Sequence, residues 1–305
     1  MLFGLVVLCV SAYLLYQALS QYDTEEIAES MFAISLPHLA LGALFVAASY
    51  FSLMLFDTLA VRYIGAKLPF RRIALVSFSA LSIGHTLGMA AVSSGTIRYR
   101  FYSRWGIRAG DIARIILFCA MTVGLGLNTL IGLALLLQPE VAAKLLRFSE
   151  AFALALGAAC LTLTMLYMGL AAVLRGPLVI KRWEISMPPL KLALAQIPVG
   201  TMNFCFVAAA LHQMLLSVTD TGYFAVATVY ALGNVATLIS HVPGGLGVFE
   251  TVVIYLLPRA AVIGALVAFR FIYFLVPLAV GAPLLAAYEL AQRRRTSDAP
   301  STASS

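Results

Sequence analysis

The sequence predicts an all-α, polytopic membrane protein of about six transmembrane helices plus two re-entrant helical hairpins in an inverted repeat. Three observations carry that expectation. Of 305 residues, 62% are apolar and 11% charged, with a mean hydropathy of +0.97, well beyond what a soluble core requires. The apolar residues fall in runs long enough to cross a bilayer. The 20 basic and 13 acidic residues gather in a few stretches between those runs.

An apolar helix of roughly 20 residues spans the hydrocarbon core, and residues 2–19, 38–56, 112–137, 150–174, 190–215 and 260–288 qualify. Met1 opens directly on the first run without a basic n-region or a small-residue cleavage site. That run is therefore expected to be retained as a span and not removed as a signal peptide. Loop charge sets the orientation, because lysine and arginine in short loops stay on the cytoplasmic side. Residues 22–37 carry Asp23, Glu25, Glu26 and Glu29 and no base, and are expected outside. Residues 57–72 hold four bases against one acid, 98–114 five against one and 175–191 four against one, so all three belong inside.

That assignment conflicts with a single crossing by residues 73–97, which join two inward loops. A re-entrant hairpin resolves the conflict, entering from the cytoplasm and turning near Gly84-His85 or Ser93-Ser94-Gly95; irregular backbone at membrane depth survives only inside protein or beside a wet cavity. Residues 222–257 present the mirror case, entering and leaving on the outer side through His241, Pro243, Gly244, Gly245 and Gly247. The alternative there is two full crossings, 222–240 and 248–269. Shifted by 150 residues, Val92-Ser93-Ser94-Gly95 lies over Val242-Pro243-Gly244-Gly245 and Arg100 over Glu250, the weak self-similarity expected of an inverted-repeat transporter. The organisation expected is one transmembrane domain over 1–292, followed by a disordered cytoplasmic tail over 293–305. Both termini are placed in the cytoplasm.

Charged groups within a span cost at least a few kcal/mol, so each is a functional candidate. Arg270 lies too deep in its run to reach water and needs an anionic partner. Glu250 follows the glycine-rich turn, where it can pair with Arg270 or meet a cationic headgroup. Asp57, at the end of the second run, is read either as a headgroup contact or as a neighbour of the basic loop. Ser94 and Gly95, followed by Arg98 and Arg100, suit a lipid phosphate through amide donors and bidentate guanidinium pairing, or serve as a positive-inside anchor. His85 and His241 lie in the two breaks and either bind a ligand or satisfy freed backbone groups. His38 and His212, at span ends, read as interface anchors. Cys9, Cys119, Cys160 and Cys205 all fall in apolar runs without metal or redox spacing and read as small core residues. The sequence carries no Gly-x4-Gly-Lys loop, zinc signature or Gly-x-Ser-x-Gly elbow, so no enzyme, cofactor or metal chemistry is expected. The net charge of +7 is assigned to lipid headgroups and not to nucleic acid.

Three segments resemble a known family: Phe56-Asp57 to Arg62-Tyr63-Ile64-Gly65, Ser94-Gly95-Thr96-Ile97-Arg98-Tyr99-Arg100 onward to Trp105-Gly106, and Val242-Pro243-Gly244-Gly245-Leu246-Gly247-Val248-Phe249-Glu250. They look like the N-terminal membrane domain of the lysylphosphatidylglycerol synthetase/flippase family, over roughly residues 38–288. The resemblance covers the membrane part without the synthetase domain. It therefore implies translocation of a phospholipid, such as lysyl-phosphatidylglycerol, between the leaflets of the bacterial cytoplasmic membrane, and argues against synthesis. In such proteins this activity accompanies resistance to cationic antimicrobial peptides.

The leading expectation is thus a lipid flippase. Arg98, Arg100 and Arg270 would engage phosphate, Asp57 and Glu250 would engage a cationic headgroup, and the two hairpins would gate access. The partners expected are membrane phospholipid, a separate lipid aminoacyl-transferase and a second copy of the chain. The competing expectation is a non-transporting scaffold for a separately encoded lipid-modifying or envelope enzyme, with structural buried charges.

Overall fold

The computed structural model describes residues 25, 32, 34–87, 90–174, 177–180, 183–240, 247–256 and 262–297. Five helices among them are long and apolar enough to cross a membrane: α1 (Leu36–Tyr63), α4 (Ala109–Leu137), α6 (Glu150–Val173), α7 (Leu190–Leu215) and a final rod from Val262 to Gln292. The protein is an all-α polytopic membrane protein. The expected span over 2–19 lies outside the described residues.

Between these helices stand the two expected pairs of shorter ones. α2 (Phe70–Leu87) and α3 (Ala90–Arg104) pack against each other, as do α8 (Tyr223–Ser240) and α9 (Val248–Leu256). α9 has nine residues, which at 1.5 Å per residue is about 13 Å. Val262 belongs to the final rod, and residues 241–246 and 257–261, on either side of α9, lie outside those described. A small helix, α5 (Pro139–Leu146), links α4 to α6. The final rod is built from α10 (Val262–Arg270), a π turn (Phe271–Leu275) and α11 (Val276–Ser297).

Two local expectations are corrected. Gly84 and His85 are helical within α2, and Ser93, Ser94 and Gly95 are helical within α3; residues 88–89 lie outside those described. Small residues need not unwind a buried helix, since its own backbone bonds survive, and they let neighbours approach. On the final rod Gly281 sits directly against Ser82 of α2. The basic loop between α6 and α7 also holds an antiparallel hairpin of β1 (Pro177–Ile180) and β2 (Trp183–Ser186), with Leu178 opposite Ile185 and Ile180 opposite Trp183. Its β-branched and aromatic residues favour extended backbone.

Because lipid offers helices no hydrophobic drive to associate, the spans are held by close packing and interhelical hydrogen bonds. At the α4–α7 crossing, a methyl group on Gly200 would come 2.6 Å from the Thr122 carbonyl oxygen, and Gly126 meets the Gly200 backbone directly. Beside this contact Gln196 donates to Thr122 Oγ1 at 2.9 Å and accepts from Tyr167 at 2.6 Å, tying α7 to α4 and α6. Asn128 donates to the Cys160 carbonyl at 2.7 Å, and Ser49 of α1 donates to Asn203 of α7 at 2.8 Å. Gly200→Leu is expected to force α4 and α7 apart at a cost of about 1–3 kcal/mol, read as a lower unfolding temperature in detergent. Gly169→Leu on α6, where nothing lies within 4 Å of an added Cβ, should leave that temperature unchanged.

Candidate functional site

α3 carries two stripes of polar residues, each bolted to a different long helix. Ser94, Arg98 and Tyr102 recur every fourth residue and so share one face. On that face Arg98 grips Asp57 of α1 with two parallel bonds, Nε to Oδ1 at 2.8 Å and Nη2 to Oδ2 at 2.7 Å. Its Nη1 donates to Ser94 Oγ at 2.9 Å, and the Tyr102 hydroxyl donates to Asp57 Oδ1 at 3.2 Å. Asp57 is 0% and Arg98 3% exposed. The second stripe, Arg100 and Arg104, converges on Glu289 near the end of the final rod, with three bonds of 3.0–3.2 Å. Around this cluster Arg72 stacks over Trp105 at 5.3 Å, and Trp105 meets Tyr288 edge-on.

These contacts revise the expected roles. α1 continues to Tyr63, so Asp57 is buried protein interior and not the interface end of a span. Asp57 and Arg98, read separately as a headgroup contact and a phosphate contact, hold each other in this structure. Arg100 is likewise engaged by Glu289, an acid that sequence reasoning passed over. Its one signal was being a lone carboxylate at a span end otherwise crowded with bases. Gly95 is buried beside Ile116.

The second hairpin is tied to the final rod through Glu250. α9 begins at Val248, immediately after Gly247, whose φ of +80° is comfortable only for glycine. Glu250 stands three residues past this cap and accepts the Gly247 N–H through Oε2 at 2.8 Å, the carboxylate half of a capping box. Its Oε1 pairs with Arg270 Nε. One carboxylate thus both caps the half-helix and docks it. Arg270 lies over the Phe274 ring at 5.4 Å, and directly after it the rod opens into the π turn, a local widening common at functional sites. His241, Pro243, Gly244 and Gly245 lie outside the described residues.

A column of rings joins the two hairpins. Phe78 meets Tyr50 at 5.3 Å, Tyr50 meets His85 at 6.2 Å and His85 stacks on Tyr273 at 5.9 Å. Tyr273 lies almost parallel to Phe269 at 5.5 Å, followed by Phe249 at 6.2 Å and Tyr230 at 5.9 Å. The column joins α2 of the first hairpin to α8 and α9 of the second through α1 and the π turn. His85 Nδ1 is buried there without a hydrogen-bond partner among the described residues. His38 and His212 are accounted for by bonds to Gln213 and the Thr221 carbonyl. Cys119 is buried and Cys160 and Cys205 are half-buried, and no metal-holding group of His, Cys, Asp or Glu occurs among the described residues.

No family model matches the chain. An uncharacterized protein of Synechocystis sp., slr0712, is 33% identical over 284 residues, covering 91% of this chain and 87% of its own. The inner membrane protein YbhN of Escherichia coli is 30% identical over 239 residues, or 76% of this chain and 74% of its own. The chain belongs to the YbhN family. In this YbhN-family protein, then, the buried charges among the described residues include two ion pairs and one partly exposed cluster, each joining a hairpin to a long helix.

Breaking a buried pair by removing one charge costs about 3–5 kcal/mol, whereas replacing both with apolar groups is often neutral. Asp57→Asn should therefore lower stability by that amount, and Asp57→Ala with Arg98→Met should recover most of it. Glu289→Gln, facing partly solvated arginines, should cost about 1 kcal/mol or less. Thermal unfolding of the purified variants in one detergent checks all three.

Proposed function

We propose that this protein translocates a phospholipid between the leaflets of a bacterial inner membrane, with aminoacylated phosphatidylglycerol as the leading substrate class. One observation carries the reading: each helical hairpin is held to a long helix by a buried carboxylate–arginine pair, and a column of ring contacts joins the two hairpins. A wholly structural bundle gains little from such pairs, since burying them costs as much as it returns. A phosphate needs bidentate guanidinium partners and a cationic headgroup needs carboxylates, and the interior offers both kinds by exchange. The lipid phosphate takes an arginine from its carboxylate, and the headgroup amine takes the carboxylate so released.

Three further observations support this reading. The sequence likeness to the lysylphosphatidylglycerol synthetase/flippase membrane domain falls on the segments that carry Asp57, Arg98, Arg100 and Glu250. The relative named an inner membrane protein agrees with that location for this chain, and the basic loops would then face the cytoplasm. Shifted by 150 residues, Arg100 and Glu250 correspond, and both bond to the final rod, through Glu289 and Arg270. This is the arrangement of two hairpins rocking against a shared element. No catalytic step is assigned to the chain in this reading.

The test is reconstitution in liposomes, following exposure of lysyl-phosphatidylglycerol beside plain phosphatidylglycerol in the outer leaflet. Faster exposure in protein-containing vesicles, lost in Arg270→Lys that folds normally, is the expected outcome. Equal exposure with protein and in empty vesicles overturns the proposal.

A further inference from the structure

Three elements meet beside Glu289, and their charges do not balance. α2, α3 and α11 carry one acid between them, Glu289. Against it stand Arg71 and Arg72 on α2, Arg100 and Arg104 on α3, and Arg293, Arg294 and Arg295 one turn further along α11; Arg98 is already taken by Asp57. Glu289 receives three guanidinium bonds on its two oxygens, which uses most of its acceptor capacity. Its side chain is 11% exposed, against 24% for Arg100 and 39% for Arg104. The carboxylate is the inner member of the cluster, and the arginines form its outer rim.

Arg72 is held differently. Its guanidinium lies over the Trp105 ring at 5.3 Å and enters no ion pair among the described residues. A carboxylate cancels the charge of its arginine. A ring face pins the guanidinium plane but leaves the charge standing, with N–H donors at its edge. Trp105 meets Phe101 at 6.0 Å and Tyr288 at 6.5 Å, and Phe101 meets Tyr288 at 5.0 Å. The ring under Arg72 is therefore itself fixed between α3 and α11. Trp105 follows Arg104 in the chain and Tyr288 precedes Glu289, so the stacked arginine and the paired ones belong to one seam.

We propose that this seam holds one anionic phospholipid by its phosphodiester, which receives Arg72 and the outer edge of Arg104 and supplies the negative charge that the three elements lack. The location selects a lipid over a free phosphate. Glu289 lies three residues before the end of the final rod, Val262–Gln292, and the indole and phenol beside it are rings that favour the level of the headgroups. Anionic lipids attract clustered arginines at that level. Val280 and Leu284, two turns and one turn before Tyr288 on one stripe of the rod, are exposed and offer the acyl chains an apolar track. The seam is separate from the Asp57–Arg98 and Glu250–Arg270 pairs, and this inference does not depend on translocation.

The competing picture is diffuse attraction, in which every exposed base near the membrane surface counts alike. Arg62 and Lys67, both exposed, lie outside the seam and separate the two pictures. The test is thermal unfolding of the purified full chain in a non-ionic detergent, with rising mole fractions of dioleoyl-phosphatidylglycerol or dioleoyl-phosphatidylcholine, or with inorganic phosphate. A ligand of the folded state raises the unfolding temperature as it binds. Phosphatidylglycerol is expected to raise it, and phosphatidylcholine and inorganic phosphate to leave it unchanged. Arg72→Gln and Arg104→Gln should each raise the mole fraction needed for half the effect by about tenfold, the worth of one charge-assisted hydrogen bond. Arg62→Gln and Lys67→Gln should move it by less than about twofold. Arg72→Gln, at an exposed position, carries the test if Arg104→Gln does not fold.

No stabilisation by phosphatidylglycerol, or an equal one by phosphatidylcholine, overturns the inference. Equal stabilisation by inorganic phosphate overturns the lipid and leaves a site for a free anion. Equal weakening by all four substitutions overturns the seam in favour of diffuse attraction. Stabilisation kept in Arg72→Gln but lost in Arg270→Lys puts the lipid in the interior, which overturns the seam and leaves the flippase reading standing.

Discussion

The Asp57–Arg98 ion pair fixes the geometry from which the rest of the interior follows. A guanidinium and a carboxylate buried this completely tolerate each other only in close bidentate register with their remaining groups satisfied, and Ser94 and Tyr102 supply those groups. That requirement sets the rotation of α3 against α1. With one face so placed, Arg100 and Arg104 are turned toward the final rod, where Glu289 receives them. α2, packed against α3, then brings Phe78 and His85 to Tyr50, and the ring column extends from there to the second hairpin. A single electrostatic constraint thus orients an element too short and too polar to be positioned by lipid alone.

The second hairpin obeys a different rule. Nothing in it matches the depth of the Asp57–Arg98 pair. Instead, its docking charge doubles as its helix cap. Because Glu250 serves the Gly247 amide and the Arg270 guanidinium at once, the fold of α9 and its attachment to the final rod are linked through two oxygens of one side chain.

Much of this was legible in the residues. The described spans begin and end within a few positions of the apolar runs, because length and hydropathy are what the bilayer selects for. α1 was the exception, extending about two turns beyond its run, since Asp57 and Arg62 read as loop when only the local sequence is seen. The Glu250–Arg270 pair was readable because two lone charges of opposite sign lay close in chain position within otherwise apolar stretches. The Asp57–Arg98 and Glu289 contacts were not, because each basic residue already had a sufficient explanation as an anchor beside the headgroups, and partners separated by 41 and 189 positions leave no periodic trace. Gly84, His85, Ser93, Ser94 and Gly95 were read as turn residues and are helical for a related reason. Glycine, serine and histidine lower helix propensity, yet inside a packed bundle that preference yields to tertiary contact.

The backbone contact between Gly126 and Gly200 has a mechanical consequence. Two helices whose main chains touch at one point, with no side chains interposed, resist sliding along their axes but can swivel about that point. Their crossing, flanked by the Gln196 bonds, acts as a pivot.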